Sequence, residues 1–542
     1  MAIDKRQRLQ EWWRGAVIYQ IYPRSFLDTS GDGTGDLQGI ISKLPYVADL
    51  GVNAIWLSPF FTSPMRDFGY DVADYCDVDP LFGSLDDFDT LVAKAHDLGL
   101  KIIIDQVYSH TSDQHEWFAT SRLSRDSEKT DWYVWADPKP DGTPPNNWQS
   151  VFGGPAWTWD NRRRQYYLHN FLTSQPDLNL HNPDVQEALL SVARFWLDRG
   201  VDGFRLDALN FGMHDLALRD NPPRTTFEAE PTRPFDFQDH IRNLSHPDLP
   251  AFLERLRGLL DTYDGERFTV AEIVGPQPLS EMKEYTRGHK RLNAGYSFDY
   301  LYADEISASH VQKVSDNWTD GDDSGWPAWA FSNHDAPRVN TRWGGEEADA
   351  ATAKLFAMLS LSLRGTVFLY QGEELGLPQA EIPFDRLQDP EAIENWPETL
   401  GRDGARSPMP WIESDHYAGF SSVDPWLPVD MRHFPLAVDR QEADDASTLN
   451  FVKQLIAYRK KSRALQRGTI SFLQSPADLL AFIRQHEEEI LLCVFNLSKN
   501  DIRWTEAPDS SFSVLHTNLR AVTSELPEVI PALTGFWLKK TK

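Results

Sequence analysis

Short runs of β-branched and aromatic residues alternate with helical patterns along most of this chain, and this alternation limits the possible folds more than any other feature. It is typical of a parallel sheet whose strands are joined by helical crossovers. The chain contains eight such runs, the number at which a parallel sheet closes on itself. We therefore predict an α/β fold, a (β/α)8 TIM barrel. The predicted strands are residues 16–22, 52–57, 101–107, 201–207, 268–272, 294–298, 328–333 and 366–370.

Two regions depart from a minimal barrel. The segment between the third and fourth strands is rich in aromatic and turn residues, which predicts a small inserted domain, because a disordered segment would lack so many Trp and Tyr residues. Near the end of the chain, short strand-like runs separated by turns predict a C-terminal β-sandwich. The predicted boundaries are 1–110 and 181–465 for the barrel, 111–180 for the insertion and 466–542 for the C-terminal domain.

The charge balance excludes several classes of partner. The 542 residues include 53 basic and 81 acidic side chains, a net charge of −28 that repels nucleic acid phosphates and anionic lipid surfaces. We expect a neutral or cationic small partner, with no nucleic acid, membrane or organic cofactor. The two cysteines, Cys76 and Cys493, lie too far apart in sequence to indicate a disulfide framework or a multi-thiolate zinc site. No apolar signal core is evident, so we expect a cytoplasmic protein, with its oligomeric state left open.

Carboxylates recur at or just beyond the ends of the strand-like runs. In a (β/α)8 barrel, the loops at the C-terminal ends of the strands build the active site, so acids there are expected to be catalytic or substrate-binding. From the short pattern of Arg205 and Asp207 alone, a buried structural ion pair is the stronger alternative. The five acids are Asp67, Asp105, Asp207, Glu272 and Asp335.

Nine motifs in order along nearly the whole chain carry a family resemblance. DQVYSH, QPDLN, GFRLDALN, AEI, FSNHD and YQGEELG resemble the signature segments of the α-amylase superfamily, glycoside hydrolase family 13. DGTGDLQGI, DFGYDV and GRDGARSPMPW look like those of α-glucosidases and oligo-1,6-glucosidases. The resemblance implies small α-glucoside substrates and an exo-acting, retaining α-glucosidase, with transglucosylation as an additional outcome.

Retaining hydrolysis needs one ionised carboxylate that attacks the anomeric carbon and one protonated acid, about 5 Å away, that releases the leaving oxygen. Arg205 and Asp207 lie two residues apart on one strand and so point to the same side, where the guanidinium would keep Asp207 ionised as the nucleophile. Glu272 follows the apolar run FTVA, where partial desolvation would keep it protonated as general acid and then base. By resemblance, Asp335 is the third carboxylate and stabilises the transition state.

The other site residues follow from the resemblance alone. It implies that Asp67 and Arg402 clamp the non-reducing end of the sugar, that Tyr70 stacks on its ring, and that His110 and His334 bind its hydroxyls. Taken singly, each histidine is more often a structural residue, and Asp67 or Arg402 more often part of a surface ion pair.

A loop near the N-terminus places oxygen-bearing side chains at alternate positions, which suits a hard cation such as Ca²⁺ or Mg²⁺. The glutamate that completes an EF-hand loop is missing, because its position is taken by Gly39. The resemblance implies a cation here, usually with Asn at position 30, and a solvated acidic turn is an equal alternative. The residues are Asp28, Ser30, Asp32, Thr34 and Asp36.

The resemblance also bears on linkage. Relatives that prefer α-1,6 bonds tend to carry Val directly after the nucleophile, whereas this chain has Ala208, which implies α-1,4-linked, maltose-like substrates. The Pro-rich and acidic segment 211–239 is expected to shape the acceptor side. Three alternatives stay open: an oligo-1,6-glucosidase, a sucrose or trehalose isomerase-type glucosyl transferase, and an inactive relative that serves as a binding partner.

Overall fold

Eight parallel strands form a closed barrel in a computed structural model that describes residues 11–226, 233–275, 277–318, 325–394, 396–397, 401–508, 511–520 and 524–541. The strands follow one another around the barrel in chain order, and the last pairs with the first. This confirms the predicted (β/α)8 fold. The strands are β1 (Val17–Ile21), β2 (Ala54–Leu57), β3 (Lys101–Val107), β4 (Gly203–Asp207), β5 (Phe268–Glu272), β6 (Ala294–Ser297), β7 (Pro327–Ala330) and β8 (Thr366–Tyr370).

The helices begin at side chains that satisfy free backbone N–H groups. Asp36 accepts a hydrogen bond from Gly39 N at the start of the first helix, and Asn182 accepts one from Asp184 N before a helix whose first residue is proline. The helices are α1 (Leu37–Asp49), α2 (Leu85–Asp97), α3 (Glu116–Ser121), α4 (Pro183–Asp198), α5 (Leu249–Leu260), α6 (Pro278–Thr286), α7 (Ala308–Asp316), α8 (Val339–Gly344), α9 (Ala350–Ser362), α10 (Pro390–Glu394), α11 (Val438–Glu442), α12 (Thr448–Lys461) and α13 (Arg463–Arg467).

The insertion between β3 and β4 contains its own antiparallel sheet. Gln165–Leu168 is the middle strand, and it pairs with Trp135–Ala136 on one side and with Trp157–Asp160 on the other. Trp148 and Trp157 stack with ring centroids 5.9 Å apart inside a small apolar core. The aromatic residues of this segment therefore fill a core of their own.

The C-terminal region forms an antiparallel β domain, as predicted. A five-stranded sheet and a two-stranded sheet share one apolar core, to which Leu492 and Phe536 contribute from the larger sheet and Trp504 and Ile530 from around the smaller one. The strands of the larger sheet, in the spatial order β9-β10-β11-β13-β12, are β9 (Thr469–Phe472), β10 (Leu479–His486), β11 (Glu489–Asn496), β12 (Phe512–Thr517) and β13 (Thr534–Lys540).

A buried arginine on β10 fixes this domain to the helical layer. Arg484 donates from Nη1 to the carbonyl of Ser362 at 2.5 Å, and from Nη2 to the carbonyls of Leu465 at 3.0 Å and Gly468 at 3.1 Å. Its side chain is fully buried. The guanidinium thus supplies hydrogen-bond donors to carbonyls at the ends of helices α9 and α13, where no further helical N–H group is available.

The chain divides into two compact units. One comprises the chain up to Trp56 with Ala93–Lys101 and Ser297–Lys542, and the other comprises Leu57–Val92 with Ile102–Tyr296. Within the described ranges, no helix combines the length and the apolar character needed to span a bilayer.

Candidate active site

The last residues of β4 and β5 present acids around one arginine. The side chain of Arg205 has no solvent exposure, and its guanidinium contacts three carboxylates. Nη1 donates to Asp105 Oδ1 at 2.9 Å and to Asp207 Oδ1 at 2.5 Å, while Nη2 lies 2.8 Å from Glu272 Oε2. Asp105 sits directly opposite Arg205 on the neighbouring strand. The predicted nucleophile and the predicted acid therefore share one cation.

The three acids around Arg205 differ in their access to solvent. The Asp105 side chain is completely buried, and burial raises its pKa against the opposing effect of Arg205. Asp207 and Glu272 each keep 13% of their side-chain surface accessible. Only these two can meet a ligand, whereas Asp105 orients Arg205 from behind.

A second group of predicted residues is linked by hydrogen bonds in the same unit. The Tyr70 hydroxyl donates to Asp105 Oδ2 at 3.1 Å, and His110 Nε2 lies 3.1 Å from the Tyr70 carbonyl. Gln175 Nε2 donates to Asp67 Oδ2 at 3.1 Å and lies 3.2 Å from His110 Nε2. Burial lowers the pKa of His110 to about 4, so its imidazole is neutral at physiological pH and suited to hydrogen bonding.

The remaining predicted residues cluster in the other unit, beyond the end of β7. Asp335 Oδ1 accepts from Arg406 Nη2 at 2.7 Å, and its Oδ2 lies 3.1 Å from His334 Nε2. Arg402 lies farther away, with Nη1 3.7 Å from Asp335 Oδ1. Its closer partner is the buried Asp389, which accepts from Arg402 Nη2 at 2.8 Å. Although burial opposes the shift, Arg402 lowers the pKa of Asp389.

His334 is held in place from two sides. Gln20 Nε2 lies 2.8 Å from His334 Nδ1, and this contact orients the imidazole. The ring stacks on Tyr22 with centroids 5.6 Å apart and an interplanar angle of 22°. Both neighbours come from β1 or directly follow it, so the first strand of the barrel supports a residue that follows the seventh.

Sequence reasoning missed several residues of these two clusters. Arg406 makes the closest contact to Asp335, yet the motif GRDGARSPMPW drew attention only to Arg402, four residues earlier. Gln175 lies within QPDLN, a segment that was recognised without a role for its glutamine. Asp389 stands outside every motif, and no sequence signal indicates it.

The loop of residues 28–36 uses its acids to bind its own backbone. The Asp28 carboxylate accepts from Gly31 N at 2.8 Å and from Gly33 N at 2.9 Å. Asp36 accepts from Ser30 N at 3.0 Å and from Gly39 N at 2.6 Å. Among the described residues, the acids of this loop do not form a set of three ligand atoms within 4.8 Å of one another. These contacts stabilise the turn, and the cation site stays a prediction.

The arrangement around Arg205 is suited to chemistry that uses two carboxylates. A fixed positive charge favours the ionised form of a carboxylate beside it, which suits the predicted nucleophile, whereas the predicted proton donor must hold its proton against the same charge. Asp105 contacts the guanidinium, and the Tyr70 hydroxyl in turn donates to Asp105.

Known proteins of similar sequence and structure cover most of this chain. A family model for the alpha-amylase catalytic domain matches residues 20–468. A probable alpha-glucosidase of Rhizobium meliloti (strain 1021) is 54% identical over 496 residues, with 90% of each chain covered. An oligo-1,6-glucosidase of Heyndrickxia coagulans is 36% identical over 545 residues, covering 94% of this chain and 96% of that protein. The crystal structure of an alpha-glucosyl transfer enzyme, XgtA, aligns with a TM-score of 0.92 and 49% identity over 98% of this chain and 99% of that one.

Proposed function

Because the chain belongs to the α-amylase family, glycoside hydrolase family 13, we propose that it is an exo-acting, retaining α-glucosidase that removes α-1,4-linked glucose from short, maltose-like substrates. The observation that carries this proposal is the shared contact of Asp207 and Glu272 with the Arg205 guanidinium. The high identity to a probable alpha-glucosidase over most of both chains supports the substrate class.

The proposed reaction has two steps. Asp207, kept ionised by Arg205, attacks the anomeric carbon while Glu272 gives its proton to the departing oxygen, so that the glycosidic bond breaks and a β-glucosyl ester forms. Glu272 then takes a proton from water, and the resulting hydroxide equivalent attacks the same carbon and releases Asp207. Two inversions leave the product with the α configuration of the substrate.

Asp335 is proposed as the third carboxylate, which binds sugar hydroxyls and favours distortion of the ring toward the oxocarbenium-like transition state. Its contacts with Arg406 and His334 support this role, because they fix the carboxylate while 21% of its side-chain surface stays accessible. The observed geometry thus adds Arg406 as a positioning residue for Asp335.

Five residues are proposed to position the terminal glucose. Within each unit, burial or hydrogen bonds hold these residues in position, and a clamp at the non-reducing end would explain release of one glucose at a time. Tyr70 would stack on the sugar while its hydroxyl stays bonded to Asp105. The residues are Asp67, Tyr70, His110, His334 and Arg402.

Trapping with a 2-fluoro-α-glucoside that carries a good leaving group, followed by peptide mapping, tests the nucleophile. We expect the label on Asp207 and α-glucose as the first anomer in an NMR time course with maltose. Asp207→Asn should lower kcat by about 10⁴-fold while the protein stays folded, since the covalent step is lost. Asp264→Asn, an exposed position in the same unit, is the control. β-Glucose as the first product would falsify the retaining mechanism.

Ala208 is proposed to favour α-1,4 linkages. It follows Asp207 directly, is 6% exposed, and packs against Phe211 and Leu244. A larger side chain here would change the space beside the nucleophile, an effect of about 1 to 3 kcal/mol on discrimination between linkages. The expected result is a higher kcat/KM on maltose than on isomaltose, and the reverse order would favour the oligo-1,6-glucosidase alternative.

A glucosyl transferase is the second candidate, because the chain is 49% identical to an alpha-glucosyl transfer enzyme. The same acids would act, and the outcome would depend on whether water or a sugar hydroxyl reaches the covalent intermediate. Product analysis on maltose and on sucrose separates the candidates: free glucose indicates hydrolysis, longer saccharides indicate transfer, and an isomerised disaccharide indicates an isomerase. An inactive binding relative would give no product in either assay.

We also propose a reducing compartment, the cytoplasm, as the place of action. Both cysteines are free thiols, and burial raises the pKa of Cys76 to about 11 and that of Cys493 to about 12. Thiols with such high pKa values form little thiolate, so their free state does not depend on the compartment. Detection of the protein in the cytoplasmic fraction of the producing cells would support this location, and detection only outside that fraction would contradict it.

A further inference from the structure

Two histidines and an aspartate converge outside the groups around Arg205 and Asp335. His181 immediately precedes the capping residue of α4, and His246 and Asp248 immediately precede α5. Each side chain offers one ligand atom, and these atoms lie within 4.8 Å of one another. The two imidazoles meet edge to face with centroids 4.7 Å apart. The cluster therefore joins the starts of two neighbouring helices of the barrel.

Hydrogen bonds fix which nitrogen of each imidazole carries a lone pair. His181 Nε2 lies 2.8 Å from the carbonyl of His214, and because a carbonyl only accepts, Nε2 carries the proton and Nδ1 the lone pair. The Asp248 N–H donates to His246 Nδ1 at 3.3 Å, which shows that Nδ1 carries the lone pair of this ring, and a metal ion would replace this N–H as its partner. A second ring nitrogen bonded to a backbone carbonyl is the usual support of a metal-ligating histidine.

We propose that His181, His246 and Asp248 form a binding site for a divalent transition-metal ion such as Zn²⁺. Two imidazole nitrogens and one carboxylate oxygen are a donor set that Zn²⁺ accepts, with a water molecule as fourth ligand. A hard cation such as Ca²⁺ would prefer oxygen donors throughout. Ligand atoms around tetrahedral Zn²⁺ lie about 3.3 Å apart, given bond lengths of about 2.0 Å.

The cluster can contract to that spacing with small side-chain movements. Asp248 Oδ2 is already 3.6 Å from His246 Nδ1, and 70% of the Asp248 side chain is exposed, so it is free to rotate toward the ion. The His246 side chain is only 20% exposed and keeps its position.

A bound ion would brace the long connection that leaves the catalytic strand. His214 lies on this connection after β4, and its carbonyl holds His181, while His246 and Asp248 end the connection at α5. The ion would therefore stabilise the contacts among His214, His181 and the start of α5, without any part in the bond chemistry. Stabilisation should grow with the concentration of free Zn²⁺, because the ion binds the folded state.

Calorimetric titration of the untagged, metal-free full chain with Zn²⁺ tests the site. We expect one ion per chain and a concentration-dependent rise in Tm. His181→Ala and His246→Ala should each weaken binding by about tenfold or more, whereas His416→Ala, an exposed histidine in the other unit, should leave it unchanged. Titration with Co²⁺ should give visible absorption bands of a tetrahedral site, lost in both variants.

Diffraction from Zn²⁺-soaked crystals, measured at the zinc absorption edge, gives the position of the ion independently of protein stability. An anomalous peak between the three side chains supports the proposal. The absence of a peak there at saturating Zn²⁺, or equal affinity in the wild type and the His181→Ala/His246→Ala double variant, would overturn it. Neither result depends on glucosidase activity, so the proposed function is tested separately.

Discussion

Arg205 lies where three acids meet, and its shape is as important as its charge. The planar guanidinium reaches Asp105 and Asp207 through one nitrogen and Glu272 through another. A lysine ammonium is a single point and cannot hold the same three partners in these directions. The geometry of the proposed nucleophile and acid therefore depends on a residue that takes no part in bond making.

Arg205→Lys is expected to retain the positive charge and to lose the alignment of Asp207 with Glu272. Because a fully buried ion pair is broken, the free energy of unfolding should fall by about 3 kcal/mol, and kcat should fall by about 10²-fold or more as Asp207 and Glu272 lose their common support. Urea denaturation and maltose hydrolysis measure the two effects. Arg199→Lys, at the more exposed ion pair with Asp89, should change both by little.

Asp177 makes stability depend on pH at a position away from the proposed acids. It is 1% exposed, and burial raises its pKa from 3.8 to about 7, although hydrogen bonds from Asn170 oppose the shift. Folding therefore favours the protonated carboxyl. Its contribution to the free energy of unfolding is complete below pH 3.8 and is lost as the pH rises to about 7.

Relative to Asp177→Asn, the wild type should therefore lose stability as pH increases from about 4 to 7. The difference in Tm between the two proteins, measured across that range, isolates the contribution of this carboxyl from all other titrating groups. The exposed substitution Asp126→Asn should show a constant difference. A constant difference for Asp177→Asn as well would contradict the assignment.

At the scale of elements, hydrophobic periodicity predicted the barrel well, and errors fall at strand ends. The fourth strand was predicted over 201–207 and is observed over Gly203–Asp207, and the seventh was predicted over 328–333 and is observed over Pro327–Ala330. Apolar residues continue into the loops that cover the barrel. Composition alone therefore does not show at which residue the hydrogen bonds to the neighbouring strand end. The segment 211–239 includes residues outside the described ranges, and its predicted role at the acceptor side stays a prediction.

The loop of residues 28–36 shows a second limit of sequence reasoning. Acids at alternate positions indicate a cation site and a hydrogen-bonded turn equally well. A carboxylate accepts hydrogen bonds from N–H groups with the same oxygens that it would offer to a metal. Which partner is present depends on the backbone path, which the pattern does not contain. In this loop, backbone N–H groups of Gly31, Gly33 and Ser30 are hydrogen-bond partners of the acids, and a cation bound to the same carboxylates stays a prediction.

Asp36→Ala should lower the free energy of unfolding by about 1 to 2 kcal/mol, because Gly39 N at the start of α1 and Ser30 N in the loop both lose their acceptor. Addition of Ca²⁺ or Mg²⁺ to the metal-free wild type should leave Tm unchanged. Thermal melts with and without these ions measure both effects. A rise in Tm with either ion that is absent in Asp36→Ala would instead support the cation predicted from the family resemblance.

At the scale of the whole molecule, buried arginines bound to backbone carbonyls join elements that lie far apart in sequence. Arg459 donates to the carbonyls of Gly15 and Gly365, at 3.0 and 2.7 Å, and joins the first and last parts of the barrel. Arg484, on β10, donates to the carbonyls of Ser362 and Leu465 in the helical layer. No motif identified either residue, since both lie in segments chosen for their apolar pattern.

Arg484→Ala should destabilise the protein by about 3 kcal/mol, because it leaves buried carbonyls of Ser362, Leu465 and Gly468 without their donor. Chemical denaturation followed by tryptophan fluorescence measures the loss. Arg503→Ala, in the same domain but at an exposed ion pair with Glu528, should cost little. Equal losses for the two variants would mean that the buried contacts do not fix the domain.

Asp207 is proposed to be ionised in the resting site, and the chain as a whole carries an excess of negative charge. A basic iminosugar, whose ring nitrogen is protonated, would therefore enter a field that favours it both at long range and in contact. The neutral carbocyclic analogue of the same shape would lack that attraction. The affinity of inhibitors for this protein should accordingly increase more with a positively charged ring atom than with added hydroxyl groups.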